Sequence, residues 1–191
     1  MKNRKVYVTT FCGVAVAMNI VLGIITSALG IPLYLDTLGT VLSAAILGPV
    51  PGIIVGALSN IITGLIYSVS DIPFCLVNMA VGLIVGLVAH KVAKINESTD
   101  KKYVFKWSVI ASVAGLAFNV IADPVVGYFY KQYILGQPQE LAQALAKMSA
   151  AATFINAVVS VILVAIIYNA VRPVLIKSHL ITVTNNKNQV A

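Results

Sequence analysis

The stretch Val6–Leu29, VYVTTFCGVAVAMNIVLGIITSAL, is apolar apart from isolated Thr, Ser and Asn residues, and it follows the cations Lys2, Arg4 and Lys5. A secretory leader has the same order of features, but its apolar region is about 7–15 residues long. This run is longer, and it matches the roughly 20 residues a helix needs to cross a hydrocarbon core about 30 Å thick. It reads as a retained first transmembrane helix. The rest of the chain is made of similar material. Its 191 residues are 59% hydrophobic and 10% charged, whereas a soluble domain is about 45–50% apolar and about 25% charged. A single core of this size cannot hide that excess, so lipid must cover it. The formal charge of +7 would suit nucleic acid. The basic residues, however, sit in short clusters between apolar runs, as topology signals do, and nucleic acid is rejected as a partner.

Working outward, five more spans are expected. The second is short, Thr37–Leu47, and ends at Gly48-Pro49-Val50-Pro51-Gly52. One helix cannot run through two prolines and two glycines in five residues, so a hairpin leads into a third span, Ile53–Tyr67. Ser68–Asp71 break the pattern before a fourth span, Ile72–Val92. A charged linker, Lys94–Lys102, precedes a fifth, Val104–Ala122. A long connection, Asp123–Lys147, leads to the sixth, Met148–Ile176. Within that connection Pro138 and the apolar positions Leu141, Leu145 and Met148 predict a short amphipathic surface helix. The fold class is therefore an all-α membrane protein: one six-helix domain over residues 1–177 and a polar tail over 178–191. With the N-terminus inside, the outer segments hold only Lys131 and Lys147 of the 13 cations. This positive-inside bias puts both ends in the cytoplasm. Asp36, Asp71, Asp123 and Glu140 fall outside, a pattern that acidic residues do not owe to topology.

The residues point to no enzyme. There is no phosphate loop and no nucleophile elbow. His90 and His179 read as solvated cytoplasmic residues, Cys12 and Cys75 as small hydrophobes, and neither a metal nor a cofactor is expected. Polar groups within the spans are costly and therefore informative. They are Asn19, Asn60, Asn78, Asn119, Asp123 and Asn156. Asn78, Asn119 and Asn156 lie at similar depth in the outer half, with Asp123 one turn above Asn119. Three helices thus offer amides, and one adds a carboxylate, within apolar walls. That suits a pocket for a small polar molecule, or else amides that tie helices together. Asn60, Thr63, Gly64 and Tyr67 form a polar and small stripe that must face protein. Most outer aromatics, Tyr34 among them, are accounted for by an interfacial belt. On the first helix Gly13 and Ala17 form a small-x-x-x-small face for close helix approach.

The segments Pro32-Leu-Tyr-Leu-Asp-Thr-Leu-Gly39, Ala44-Ala-Ile-Leu-Gly-Pro49 and Gly52-Ile-Ile-Val-Gly-Ala-Leu-Ser-Asn60, set in a six-span chain, resemble the substrate-binding (S) component of energy-coupling factor (ECF) vitamin transporters. The resemblance covers residues 5–177. It implies a multi-pass protein of the cell membrane that binds a water-soluble vitamin from outside. It also implies partnership with a transmembrane coupling protein and two cytoplasmic ATPase subunits, and toppling in the membrane to release cargo. Gly13 and Ala17 would be the docking face, a departure from the family's A-x-x-x-A. The ligand would lie in the outer half near Asn60, Asn78, Asn119, Asp123 and Asn156, under a loop carrying Tyr34 and Asp36. Those groups suit pyridoxine or hydroxymethylpyrimidine, with pantothenate next. The competing classes are a membrane sensor domain binding a small ligand for a signalling partner, and a small membrane enzyme.

Overall fold

The computed structural model describes residues 2–30, 33–178, 180 and 181. Pro32, His179 and the tail from Thr182 on, with Lys187, lie outside the described residues. The described chain is helical: α1 (Lys2–Ala28), α2 (Leu38–Leu47), α3 (Pro49–Ile66), α4 (Cys75–Leu87), α5 (Lys101–Phe129) and α6 (Gln139–Lys177). A 3-10 segment, Val69–Phe74, leads into α4, and one wide π turn each extends α4 to Val92 and α5 to Ile134. Five helical stretches are long and apolar enough to cross a membrane, and α2 is the short one.

Three boundaries differ from those expected of the sequence. The proline-rich hairpin contracts to a single hinge, Gly48, at φ 108°. Pro49 and Pro51 are not in the turn but in the first turn of α3, where backbone N–H groups have no helical partner to lose. Second, α5 does not stop at Ala122 but runs on through Pro124 to Phe129. A proline in a membrane helix is tolerated where neighbouring helices compensate the freed backbone. Here α6 grips the residue just before it, as described below. Third, the expected surface helix is the first part of one continuous 39-residue α6. The long outer connection thereby shrinks to a turn around Gly136, at φ 66°.

The inner end of the bundle is closed by polar ties. The last carbonyls of α2 are taken by other segments: His90 Nε2 lies 3.0 Å from Ala45 O, and Asn96 Nδ2 donates to Ile46 O at 2.7 Å. Asn96 Oδ1 in turn accepts from Tyr168 Oη at 2.7 Å. The Arg172 guanidinium donates to the carbonyls of Ile95 and Ser98. His90 is therefore a half-buried structural donor rather than a solvated surface residue. Phe11 of α1 and Ile167 and Val171 of α6 line one small apolar cavity of about 140 Å3, so both chain ends approach the same face of the bundle.

Helices α3 and α4 meet backbone to backbone. A Cβ on Gly82 would lie 2.4 Å from the carbonyl carbon of Gly52, and one on Gly86 2.3 Å from Pro49 Cα. Small residues are what permit such an approach in lipid. Gly82→Ala is expected to cost about 1–3 kcal/mol by overpacking, read as a lower melting temperature in detergent. Gly13→Ala, where a Cβ meets nothing within 4 Å, should not lower it. Equal melting of the two variants would contradict this packing.

Candidate functional site

α2 has ten residues and so spans about 15 Å, half of what a crossing needs. Its inner end is tied to the inner face, so its outer end stops within the bundle. The loop before it must descend to meet it. The contacts show that descent. Leu35 N donates to Asn156 Oδ1 at 2.8 Å, and Asn156 Nδ2 reaches Thr37 Oγ1 at 3.4 Å. Asn156 lies more than four turns into α6, so the loop sits among the helices rather than above them. The hydroxyl of Thr26, near the end of α1, donates to Tyr34 O at 3.1 Å and pins the loop from the other side.

Around this loop the expected site residues take different parts. Asp123 Oδ2 accepts from Ser149 Oγ at 2.8 Å and Thr153 Oγ1 at 3.0 Å, both on α6. Asn78 Nδ2 donates to Asn60 Oδ1, and Asn60 Nδ2 reaches Asp71 O at 3.4 Å. Those two amides tie α3 to α4. Asn119 is 4% exposed and has no side-chain hydrogen bond among the described residues. A buried amide of this kind is costly unless something else satisfies it. Tyr34 is 47% exposed at the mouth. Asp36 is partly buried beneath it, its Cβ 3.8 Å from where a side chain on Gly23 would begin. Of the stripe on α3, Asn60 and Gly64 are buried, whereas Tyr67 faces outward.

The loop's charges belong together. Burial, then the negative charges of Asp123, Asp36 and Asp71, raise the Tyr34 hydroxyl above its ordinary value. Burial first, and Asp123 second, push the Asp36 carboxyl up to about 7. Three outer carboxylates from three separate segments therefore converge on one loop. Sequence reasoning missed Thr37, Ser149 and Thr153. The signal was present: Ser149, Thr153 and Asn156 recur at i, i+4 and i+7, one polar stripe on the sixth span. A lateral groove of about 340 Å3 also opens between α5 and α6 beside Pro124, Tyr128 and Lys147. None of the expected polar residues lines it. Gly13 and Ala17 are both exposed on α1.

Comparison with known proteins gives one family. Its model, described as ECF-type riboflavin transporter, S component, matches residues 3–173. No curated protein and no solved structure matches the chain.

The Asp36 shift carries a sign. An unfolded Asp titrates near 3.9, so the folded loop holds the proton more tightly. The resulting stabilisation is full below about pH 4 and is lost as pH rises through about 7. Amide exchange over residues 33–37 is expected to quicken between pH 6 and 8, about the value of Asp36, beyond its intrinsic pH dependence. In Asp36→Asn that excess should vanish. An excess that persists in the variant would assign it to another group.

Proposed function

The chain belongs to the family of ECF-type riboflavin transporter S components, and we propose that it captures a neutral heteroaromatic vitamin beneath the α1–α2 loop, riboflavin first. Such S components are substrate-binding, non-enzymatic subunits embedded in the membrane by several helices, and they associate with the transport and ATPase components of the complex. The family match gives the sensor reading no support. Riboflavin is the cargo that the family's description names.

The observation that carries the site is Asn119. It is a buried amide with no partner among the described residues, one helical turn from the anchored carboxylate of Asp123. An amide presents a donor and an acceptor side by side, which matches the polar edge of a heteroaromatic ring. The same edge exists on pyridoxine and hydroxymethylpyrimidine. The small polar set of Asn119, Asp123 and Asp36 favours these alcohols as the second reading, and pantothenate, an anion, as the last. Asn156 and Tyr34 act as latch and mouth of the loop, while Asn60 and Asn78 form the wall behind it.

The capture reading is tested by releasing ligand from the purified protein for mass spectrometry, followed by a vitamin panel. The expected outcome is one bound vitamin, held without ATP at low micromolar affinity or better. Asn119→Leu should weaken that binding by about 1–3 kcal/mol, the cost of an unpaired polar group, with little change in melting temperature. Absence of any bound vitamin would end the reading.

For assembly, the exposed pair Gly13 and Ala17 is the proposed docking face for the coupling protein, with two cytoplasmic ATPases supplying the energy. Replacing both residues by Leu should abolish uptake in cells that carry the partner subunits while leaving vitamin binding unchanged. Loss of binding and uptake together would place these residues in the fold instead.

A further inference from the structure

We infer that the outer site selects its cargo by charge: it admits neutral or cationic vitamins and rejects their phosphate esters, so an extracellular phosphomonoester hydrolysis must supply the free alcohol. In that upstream reaction water cleaves the ester P–O bond and yields the alcohol and inorganic phosphate. The inference rests on the capture reading above and adds to it the class of ligand excluded.

Two hydrogen-bonded anchors on α6 carry it. Thr153 holds the Asp123 carboxylate, and Asn156 holds the loop on both sides of Asp36, through Leu35 N and Thr37 Oγ1. Thr153 and Asn156 are three residues apart on one helix, hence on one face and within about one turn. Asp36 and Asp123 are therefore held at nearly the same level. Asp71 enters from a third side, its carbonyl 3.4 Å from Asn60 Nδ2, and its charge reaches Tyr34 together with those of the other two.

No cation balances them at the centre. Of the two outer lysines, Lys131 acts on Asp123 from the end of α5, and Lys147 lines the lateral groove instead. The arginines of the chain are Arg4 and Arg172. Arg172 is committed to loop carbonyls at the inner face. A phosphate is recognised by guanidinium forks, ammonium groups or converging backbone N–H groups. What faces a ligand here is the neutral amide of Asn119, with carboxylates around the entrance. An incoming dianion meets like charge in a poorly solvated setting, where Coulomb repulsion is strong.

The test uses the full chain in detergent, titrated with riboflavin and flavin mononucleotide, and with pyridoxine and pyridoxine phosphate. For the pair whose alcohol binds, the ester should bind at least about 100-fold more weakly, a difference of two tenfold steps in Kd. Asp36→Asn and Asp123→Asn should each shrink the gap severalfold, mainly by strengthening ester binding. The Asn side chain at 123 keeps an oxygen for Ser149 and Thr153, so the fold is retained. Higher ionic strength should shrink the gap in the parent protein as well. Equal affinity for alcohol and ester overturns the charge filter and leaves the capture reading standing. A gap that neither variant nor salt alters also overturns it, and assigns discrimination to size. Failure of every alcohol and every ester to bind overturns both.

Discussion

The side chain of Asn19 sets the position on which the rest of the bundle depends. It is 1% exposed, in the middle of an otherwise apolar helix. Its Nδ2 donates to Thr40 Oγ1 at 3.0 Å and Ser59 Oγ at 2.9 Å, and its Oδ1 accepts from Gly39 N at 2.6 Å. One amide thus joins α1, α2 and α3. Gly39 makes the junction possible, because a Cβ there would lie 2.3 Å from Ala15 O. In hydrocarbon no water can replace these partners, so breaking the junction would leave several polar groups unpaired. The start of α2 is therefore held inside the bundle. A ten-residue helix fixed at that depth draws its leading loop down with it, and that descent creates the site.

The two ends of the molecule are held to different degrees. At the inner face, Arg172, Tyr168, Asn96 and His90 lock α2, α6 and the α4–α5 turn together. At the outer face, the loop is held by Asn156 and Thr26 alone among the described side chains. Leu35 also adopts φ 50°, a left-handed conformation that costs a non-glycine residue about 1 kcal/mol or more. The Asn156 bond to Leu35 N offsets that strain only while the loop is down. Opening forfeits few contacts and relieves the strained residue, as a segment that must admit a ligand requires. The rigid base gives such an opening something to move against.

Much of the architecture was legible in the sequence because lipid leaves a helix few alternatives. The long apolar runs had to be spans, and Gly48 had to be a turn. What misled was punctuation. Pro49, Pro51 and Pro124 read as stops, yet two of them open a helix and the third sits inside one whose neighbour grips Asp123. The site was legible by depth but not by pairing. Asn60, Asn78, Asn119 and Asn156 look alike in sequence. Only three-dimensional placement separates the two that bind each other, the one that holds the loop and the one without a partner. Thr37, Ser149 and Thr153 escaped because a hydroxyl in a span can satisfy itself on its own helix, as Ser112 does with Ser108 O.

The charge asymmetry has two halves with separate causes. Cations gather at the inner face because insertion favours them there. That rule says little about acids, yet four of the six lie outside. Three of these four reach one loop from three different segments, an arrangement that costs stability through mutual repulsion and desolvation. A fold that needed only to insert and pack would gain by replacing them with the small apolar residues that fill the rest of the bundle. Their cost is concentrated where the backbone is least secured and where Asn119 lies unpartnered. A ligand that hydrogen-bonds to these groups, or a proton on Asp36, relieves that cost. The same groups that destabilise the empty site thus favour its occupied form.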